Sequence, residues 1–276
     1  MILEVIITTM NDSILRVIDK FFPAEDNVIF LISHQITKYE KNVFEDRINE
    51  FLNLRPDVSY IHFFEKGLSR NRNRSMEKSQ GDICLVTDDD IVFKPKAFSN
   101  VLKSFERLPE SDVITYKAEF PDGKKYKRYK SEISKHTKRS SMRVSSFEIA
   151  YKRESINKAN LRWDEHFGLG GNPYTNHMEN IFLVDALDAN LQCYFYPKTV
   201  VIHPFDNSGF NYSDHLVFSK GAAFKKMFGC KAFIINIIFA FKKWSFYKKQ
   251  QSFASYIKHS NTGIKHFKKH RKEFYD

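Results

Sequence analysis

The sequence predicts an α/β fold, and two observations lead to that prediction. Over the first 110 residues, short apolar runs rich in β-branched residues alternate with segments of helical periodicity. Such alternation is typical of βαβ units, in which helices cover both faces of a parallel sheet. The chain of 276 residues is also 42% hydrophobic and 15% aromatic, which suffices for a large core and excludes general disorder.

The first half supplies four strands and four helices in alternation. The predicted strands are Ile2–Thr9, Val28–Ser33, Val58–Phe63 and Ile83–Thr87. A helix is indicated after each strand. Asn11 or Asp12 is the expected N-cap of the first helix, and apolar spacing indicates the second over 41–54. Ser69 is the expected N-cap of the third helix, with Gly81 just past its C-terminus, and Pro95 begins the fourth.

The second half is less regular but still mixed. Further strands are predicted at Val113–Glu119, Val144–Tyr151, Leu191–Tyr196 and Thr199–His203. A turn with three glycines precedes a helix that starts near His177, and Ser213 caps a helix that runs to Gly229. We therefore expect a catalytic domain over 1–212, with halves 1–110 and 111–212, followed by a helical, basic appendage over 213–276.

The net charge of +11 is concentrated at the C-terminus. Residues 220–276 contain thirteen lysines and one arginine against Glu273 and Asp276, so the rest of the chain is close to neutral. A smaller basic segment covers 121–143. Such runs indicate either a solvated face or an anionic partner, which could be a nucleic acid or a membrane surface.

Cysteine usage and hydropathy indicate a cytoplasmic protein. The three cysteines are far apart and have no CxxC spacing, which argues against a disulfide framework or a zinc site. The N-terminus lacks the features of a signal peptide, and the longest apolar run, 232–241, is too short to span a bilayer. Segment 232–249 combines apolar residues with lysine pairs, which predicts either docking on the inner face of the cytoplasmic membrane or packing on the domain.

Three adjacent carboxylates, Asp88, Asp89 and Asp90, directly follow a predicted buried strand. Ligands of parallel sheets bind at the carboxyl ends of strands, and clustered carboxylates there suit a hard divalent cation. Such a cation can bridge a diphosphate. The alternative is an acidic turn, or aspartates that cap the following helix.

Three ordered blocks resemble family-2 glycosyltransferases with the GT-A fold, of the kind that builds bacterial capsules and O-antigens. GLSRNRNRSMEKSQGDICLVTDDDIVFKP (67–95) is similar to the stretch that leads into the DxD motif of that family. LRWDEHFGLGGNPYTNHMENIF (161–182) resembles its acceptor-side segment with the catalytic base, and VVIHPFDNSGF (200–210) resembles its later His-Pro loop.

The resemblance implies a set of site residues. Glu179 takes the position of the catalytic base. The donor-binding residues are Thr8, Thr9, Arg72, Asp88 and Asp89, the metal ligands are Asp90, Asp88 and His203, and the acceptor-binding residues are Trp163, Asp164 and Glu165. It further implies a divalent metal, Mn²⁺ or Mg²⁺, a nucleotide-diphospho-sugar donor with UDP-sugars favoured, and a glycan or lipid-linked glycan as acceptor.

Two positions depart from the family pattern. Many members have an acidic pair at the base, whereas this chain has Met178–Glu179–Asn180, so the base depends on Glu179 alone. A carboxylate in the first turn of a helix is expected to stay ionised, because the positive helix end favours it. The second predicted strand ends in ISHQIT and lacks the aspartate that many members use to read uracil; His34 and Gln35 stand there instead.

The function expected from these features is an inverting, metal-dependent glycosyltransferase that extends a cell-surface polysaccharide. A nucleotidyltransferase also uses acidic metal clusters, but it needs a basic, Gly-rich loop after the first strand, and ITTMNDSILR has none. The alternative is a non-enzymatic binder of nucleic acid or of a membrane surface through the basic C-terminal tail. That alternative gives Asp88–Asp90 and Glu179 no purpose, so no nucleic-acid partner is expected.

Overall fold

The computed structural model describes residues 1–205 and 212–275. The strands of this described part are β1 Leu3–Met10, β2 Val28–Gln35, β3 Val58–Phe63, β4 Ile83–Asp88, β5 Val92–Phe93, β6 Val113–Glu119, β7 Ser134–Lys135, β8 Ile149–Lys152 and β9 Cys193–Ile202. The helices are α1 Ser13–Asp19, α2 Glu45–Leu54, α3 Leu68–Lys78, α4 Ala97–Arg107, α5 Lys138–Ser141, α6 Arg153–Lys158, α7 Met178–Asp188, α8 Asp214–Phe228, α9 Ala232–Tyr247 and α10 Phe253–Tyr275.

The strands form one mixed sheet in the order β3-β2-β1-β4-β8-β6-β9-β5, and β7 pairs with β9. The first four strands of this order are parallel, and β8 joins them antiparallel to both β4 and β6. In the register of β1, Thr8 lies opposite Ser33 of β2 and Asp88 of β4. The α/β prediction is therefore confirmed, and the carboxyl ends of β1, β2 and β4 meet at one edge of the sheet.

Three strand predictions in the second half were wrong in their bounds. Val144–Tyr151 contains a single 3₁₀ turn at Ser146–Glu148 before β8 begins, because Glu148 accepts from the backbone N–H of Ser145 at 2.9 Å and closes a capping box. The two short strands predicted over 191–203 form the single strand β9, whose pairing with β6 contains register shifts.

Three expected caps have other roles. Neither Asn11 nor Asp12 caps α1 through its side chain; the Asn11 Oδ1 instead accepts from the backbone N–H of Thr37 at 2.8 Å. The Ser69 hydroxyl lies inside α3 and donates to the carbonyl of Phe167 at 2.6 Å. Gly81 lies beyond the end of α3, where a Cβ would come within 2.9 Å of the Glu4 backbone nitrogen.

The C-terminal helices pack on the sheet domain. Ala222, Phe224, Ile264 and Phe267 belong to the same buried cluster as Phe182 of α7. Helices α8 and α10 approach so closely that a Cβ on Gly221 would lie 1.8 Å from the Ser260 carbonyl oxygen. The predicted helical character of this segment is thus confirmed, while a domain boundary at 212 stays a prediction. None of the helices in the described ranges is long and apolar enough to cross a membrane.

Candidate active site

A cleft of about 650 Å³ opens at the carboxyl edge of the parallel strands. The ends of β1 and β4, the glycine-rich turn, the start of α7 and one face of α8 form its walls. Seven of the predicted site residues line it: Thr8, Thr9, Asp88, Asp89, Asp90, Glu179 and His203. The sheet therefore brings together groups that are up to 195 positions apart, from Thr8 to His203.

The buried Arg72 side chain holds Asp88 in place from the protein interior. The Arg72 Nη2 donates to the Asp88 Oδ1 at 2.7 Å, and its guanidinium lies 4.9 Å from the centre of the Trp163 ring. Arg72 is buried and does not line the cleft. Its side chain thus orients Asp88 rather than facing a ligand, so the expected direct contact of Arg72 with a donor finds no support here.

Asp89 is anchored by the first strand and the first helix. It accepts from the Thr9 hydroxyl at 2.7 Å and from the Arg16 guanidinium at 3.2 Å. Burial raises the pKa of Asp89, although the Thr9 hydrogen bond and the charge of Arg16 act in the opposite direction. This carboxylate is therefore already partnered inside the protein.

Asp90 and His203 face the same part of the cleft. Burial and then the charge of Asp88 raise the pKa of Asp90, whereas His203 acts to lower it. The His203 ring bonds through Nδ1 to the Pro204 carbonyl at 2.7 Å, so Nδ1 carries a hydrogen, and Nε2 has no hydrogen-bond partner among the described residues. A carboxylate oxygen is a suitable ligand for both Mn²⁺ and Mg²⁺, whereas an imidazole nitrogen favours a transition metal such as Mn²⁺ over Mg²⁺.

The protein does not present a complete ligand set by itself. Among residues 1–205 and 212–275, no three histidine, cysteine, aspartate or glutamate side chains stand close enough to hold a metal ion together. Asp88 bonds to Arg72, Thr8 and Ser146. The donors present therefore fit a cation for which the protein supplies only some of the ligands.

Glu179 lies half-buried in the first turn of α7 and lines the cleft. It forms no ion pair with any residue that the structure describes. Burial raises the pKa of Glu179 in spite of the positive charges of Arg72 and Lys127. Desolvation thus outweighs the effects that favour the charged form, and the expectation that Glu179 stays ionised at neutral pH stays a prediction.

The expected acceptor residues lie outside the cleft. Trp163 is buried and stacks on Phe182 with ring centres 4.2 Å apart. Asp164 forms an ion pair of 2.9 Å with Lys226 of α8. Burial acts to raise the pKa of Asp164, but its bonds from His166 and Lys226 outweigh that effect and lower it to about 2.

Glu165, the third of that group, is held at the protein surface. It accepts from the Asn73 amide at 3.0 Å and pairs with Arg70 at 3.1 Å. Together the three residues connect the segment before the glycine-rich turn to α3, α7 and the C-terminal helices. Their contacts indicate a structural role, so acceptor binding by Trp163, Asp164 and Glu165 finds no support in the structure.

Gln35, not His34, reaches the cleft at the end of β2. The His34 ring is buried and bonds to the Asn11 carbonyl and to the Tyr60 hydroxyl, both at 2.9 Å. Burial lowers the pKa of His34 to about 4. Alternation of side chains along the strand decides this, since neighbouring residues face opposite sides of the sheet.

The cleft also contains residues that the sequence did not single out. Among them are Tyr126, Ser145, Ser146, Thr175, Asn176 and Lys220. The charge of the basic segment 121–143 and the Ser213 cap of α8 are visible in the sequence, but neither feature predicts that these segments face the cleft. Of the third resembling block, residues 206–210 lie outside the described residues.

Comparison with known proteins assigns a family. The model named "Glycosyl transferase family 2" matches residues 5–175, more than half of the chain. The chain belongs to glycosyl transferase family 2. No curated protein matches the sequence.

Solved structures support the same fold. The crystal structure of S. aureus TarS 1–349 in complex with UDP-GlcNAc is 12% identical, with a TM-score of 0.62 over 98% of this chain and 92% of that chain. The S. aureus TarS crystal structure has a TM-score of 0.59 at 15% identity over 89% of this chain, but only 44% of that longer chain is covered. This family 2 member thus has the predicted GT-A fold with C-terminal helices, and by its family it is a glycosyltransferase.

Proposed function

We propose that the protein is an inverting, metal-dependent transferase that moves a sugar from a UDP-sugar to a hydroxyl group of a glycan in a cell-surface polysaccharide, such as a capsule or an O-antigen. The observation that carries the proposal is that Glu179 and the Asp88–Asp90 cluster line one cleft at the carboxyl edge of the sheet. TarS, which has the same fold, was crystallised with UDP-GlcNAc and with UDP.

Glu179 acts as the general base. It takes the proton of the acceptor hydroxyl while that oxygen forms a bond to the anomeric carbon, and the bond from this carbon to the diphosphate oxygen breaks. A single displacement of this kind inverts the anomeric centre. The raised pKa of Glu179 makes it a stronger base than an exposed glutamate, and general-base catalysis typically contributes about 10²–10⁴-fold.

Asp90 and the Nε2 of His203 would hold the metal, with Asp88 beside them. When bound, the cation supplies Lewis-acid stabilisation of the departing nucleoside diphosphate. The protein's own part is to keep these donors in place: Arg72 fixes Asp88, and the Pro204 carbonyl fixes the tautomer of His203.

We extend the proposal to the site of action, the anionic inner face of the cytoplasmic membrane. One face of α9 packs inward through Ala232, Asn236, Ala240 and Tyr247. The opposite side exposes a stripe of large apolar residues: Phe233, Ile234, Ile237, Ile238, Phe241 and Trp244. On a helix of 3.6 residues per turn these six positions cover about 140° of the circumference.

Charge favours a lipid surface over a second copy of the chain as the partner of this stripe. Between Asp214 and Glu273 the sequence has no acidic residue but thirteen lysines and one arginine. Exposed Lys231, Lys242 and Lys249 flank the stripe. Two copies would bring these positive charges together, which is unfavourable. An anionic leaflet instead attracts them, and each basic residue near its surface contributes about 1 kcal/mol to binding.

Calorimetric titration tests the catalytic proposal. UDP, GDP and dTDP are titrated, each with and without Mn²⁺, into the wild type, Asp90→Ala and a control, Asp26→Ala, which changes an exposed carboxylate outside the cleft. We expect UDP to bind with Mn²⁺ to the wild type and the control, and at least tenfold more weakly to Asp90→Ala. Nucleotide binding that is equally strong with and without Mn²⁺ would contradict the proposed metal dependence. Tighter binding of GDP or dTDP than of UDP would contradict the proposed UDP-sugar donor.

A further inference from the structure

Three consecutive residues in the cleft wall carry buried polar atoms that have no partner among the described residues. They are the Thr175 Oγ1, the Asn176 Oδ1 and the His177 Nε2, and all three residues line the cleft just before α7. Buried polar groups in proteins are almost always hydrogen-bonded, and each unpaired one lowers stability. Three in succession at a cleft wall indicate a ligand that supplies the missing partners.

The hydrogen-bond network shows what the His177 Nε2 offers. The Asn180 amide nitrogen donates to the carbonyls of Ser141 and Val144 at 2.9 and 3.0 Å, so its oxygen must accept from the His177 Nδ1 at 2.7 Å. Burial lowers the pKa of His177 to about 3, which keeps the ring neutral. The Nε2 is therefore an acceptor that needs a donor.

The Asn176 oxygen is a second acceptor. The amide nitrogen of Asn176 donates to the Leu216 carbonyl at 3.2 Å, which leaves its Oδ1 unpaired. The Thr175 hydroxyl can donate or accept. These side chains are anchored through Leu216 and Ser219 of α8, the latter accepting from the Thr175 backbone N–H at 3.1 Å.

Lys220 adds a donor to the same part of the cleft wall. Its ammonium lies 4.8 Å from the ring centres of both Tyr212 and Phe239. Its positive charge also contributes to the lowered pKa of His177. Within the described part of the chain Lys220 forms no ion pair. Burial, followed by the charge of Lys243, lowers its pKa to about 8, so the ammonium remains mostly protonated at neutral pH.

From this arrangement we propose that Thr175, Asn176, His177 and Lys220 form a subsite for the hydroxyl groups of a sugar ring. Each hydroxyl of a sugar ring donates one hydrogen bond and accepts one or two, which matches two acceptors, one hydroxyl and one ammonium. An ionised diphosphate only accepts, so it cannot pair with the Asn176 oxygen or the His177 Nε2.

The subsite adjoins the general base. His177 directly precedes α7, and Glu179 lies in the first turn of that helix. The inference rests on the proposed function only for the origin of the sugar, which belongs either to the donor or to the acceptor. If the sugar belongs to the acceptor, the subsite takes over the role that the resemblance had implied for Trp163, Asp164 and Glu165.

Two near-isosteric variants test the subsite: Thr175→Val and Lys220→Met. Thr262→Val on the exposed face of α10 and Lys225→Met on α8 are matched controls outside the cleft. UDP and UDP-GlcNAc are titrated by calorimetry, which detects a donor sugar. Saturation-transfer NMR with methyl glucoside and methyl N-acetylglucosaminide, on the protein with and without UDP, detects an acceptor sugar. Thermal unfolding is measured for every variant.

A loss of about tenfold in affinity for UDP-GlcNAc with unchanged UDP binding assigns the subsite to the donor sugar. A loss of the methyl glycoside signal assigns it to the acceptor. In either case we expect the melting temperature of Thr175→Val to stay equal or rise, because no internal hydrogen bond is lost. Sugar binding equal to that of the controls, no sugar binding by the wild type, or a lower melting temperature of Thr175→Val overturns the subsite. The NMR experiment with methyl glycosides needs no nucleotide. If UDP does not bind but the methyl glycosides do, the result therefore refutes the proposed donor and leaves the sugar subsite supported.

Discussion

Asp89, Asp90 and Glu179 share a physical property, because burial is the first cause that raises the pKa of each. Asp89 is compensated by Thr9 and Arg16, and Asp90 faces His203. Glu179 has no ion pair among the described residues. The same desolvation that destabilises its charge in the folded state makes it a better proton acceptor.

Replacing Glu179 by Gln should therefore slow catalysis and stabilise the fold. We expect the transfer rate to fall by about 10²–10⁴-fold, since the base is lost. The folded pKa of Glu179 is raised above its ordinary 4.5, so its ionisation opposes folding at neutral pH, and this effect disappears below about pH 4.5, where both states are protonated. The melting temperature of Glu179→Gln should thus exceed that of the wild type at pH 7.5 but not at pH 4.

Glu165→Gln is the control for this experiment, because Glu165 lies outside the cleft in surface pairs with Arg70 and Asn73. It should keep most of the transfer activity and gain no stability at pH 7.5. Retained activity in Glu179→Gln would refute the assignment of the base. A melting temperature lower than that of the wild type at pH 7.5 would show that Glu179 stabilises the fold.

Helices α8 and α10 determine one wall of the cleft through their mutual packing. Gly221 of α8 faces the Ser260 carbonyl, and Gly263 of α10 faces the Phe218 carbonyl, where a Cβ would lie 1.9 Å away. Leu216 and Lys220 of α8 line the cleft. The close approach of two helix backbones, which only glycine permits, thus positions cleft residues.

Gly221→Ala should separate these helices. Alanine favours a helix over glycine by about 1 kcal/mol, but its Cβ would overlap a backbone oxygen, and such overpacking costs about 1–3 kcal/mol or more. We expect a lower melting temperature and weaker binding of sugar nucleotide, measured by thermal unfolding and calorimetry. Thr262→Ala, an exposed change in α10, should not lower the melting temperature. Equal stability of Gly221→Ala and wild type would contradict this packing.

On the scale of the whole molecule, the C-terminal helices have two different faces. The inward side joins the buried cluster of the sheet domain through residues such as Phe224 and Phe267, while α9 turns apolar residues to solvent. Because α10 supplies core residues, deletion of the C-terminal helices would expose the core. The membrane proposal is therefore tested on the surface of α9 in the full chain.

The triple variant Ile234→Ser, Ile238→Ser, Phe241→Ser should reduce membrane binding without unfolding the protein, since these side chains are 60–67% exposed. The measurement is co-sedimentation with vesicles of phosphatidylcholine alone or with phosphatidylserine. We expect the wild type and a control, Val43→Ser with Leu54→Ser, to pellet with the anionic vesicles, less so at high salt. Equal pelleting of the triple variant and the wild type would exclude α9 as the docking surface. If the wild type forms concentration-dependent dimers and the triple variant does not, a second copy of the chain is favoured as the partner.

Much of the fold was predictable because it follows from local patterns. β3 and β6 have the predicted bounds, and the Ser213 hydroxyl caps α8 as expected, accepting from the Leu216 N–H at 3.4 Å. Strands whose ends depend on distant partners were harder. The start of β8 is set by the capping box of Ser145, and β9 runs through the gap that was predicted between two strands.

By itself, the sequence determined the α/β class, the carboxylate cluster at Asp88–Asp90 and the position of Glu179 after a glycine-rich turn, since periodicity and adjacent residues express these features directly. Only the tertiary structure decided which side chains share the cleft. It placed Trp163 in the core and brought Lys220 beside the loop that contains His177, because helix packing far along the chain brings together residues that no local pattern connects. It also made desolvation the largest influence on the pKa of Glu179, since desolvation depends on the neighbours that folding supplies.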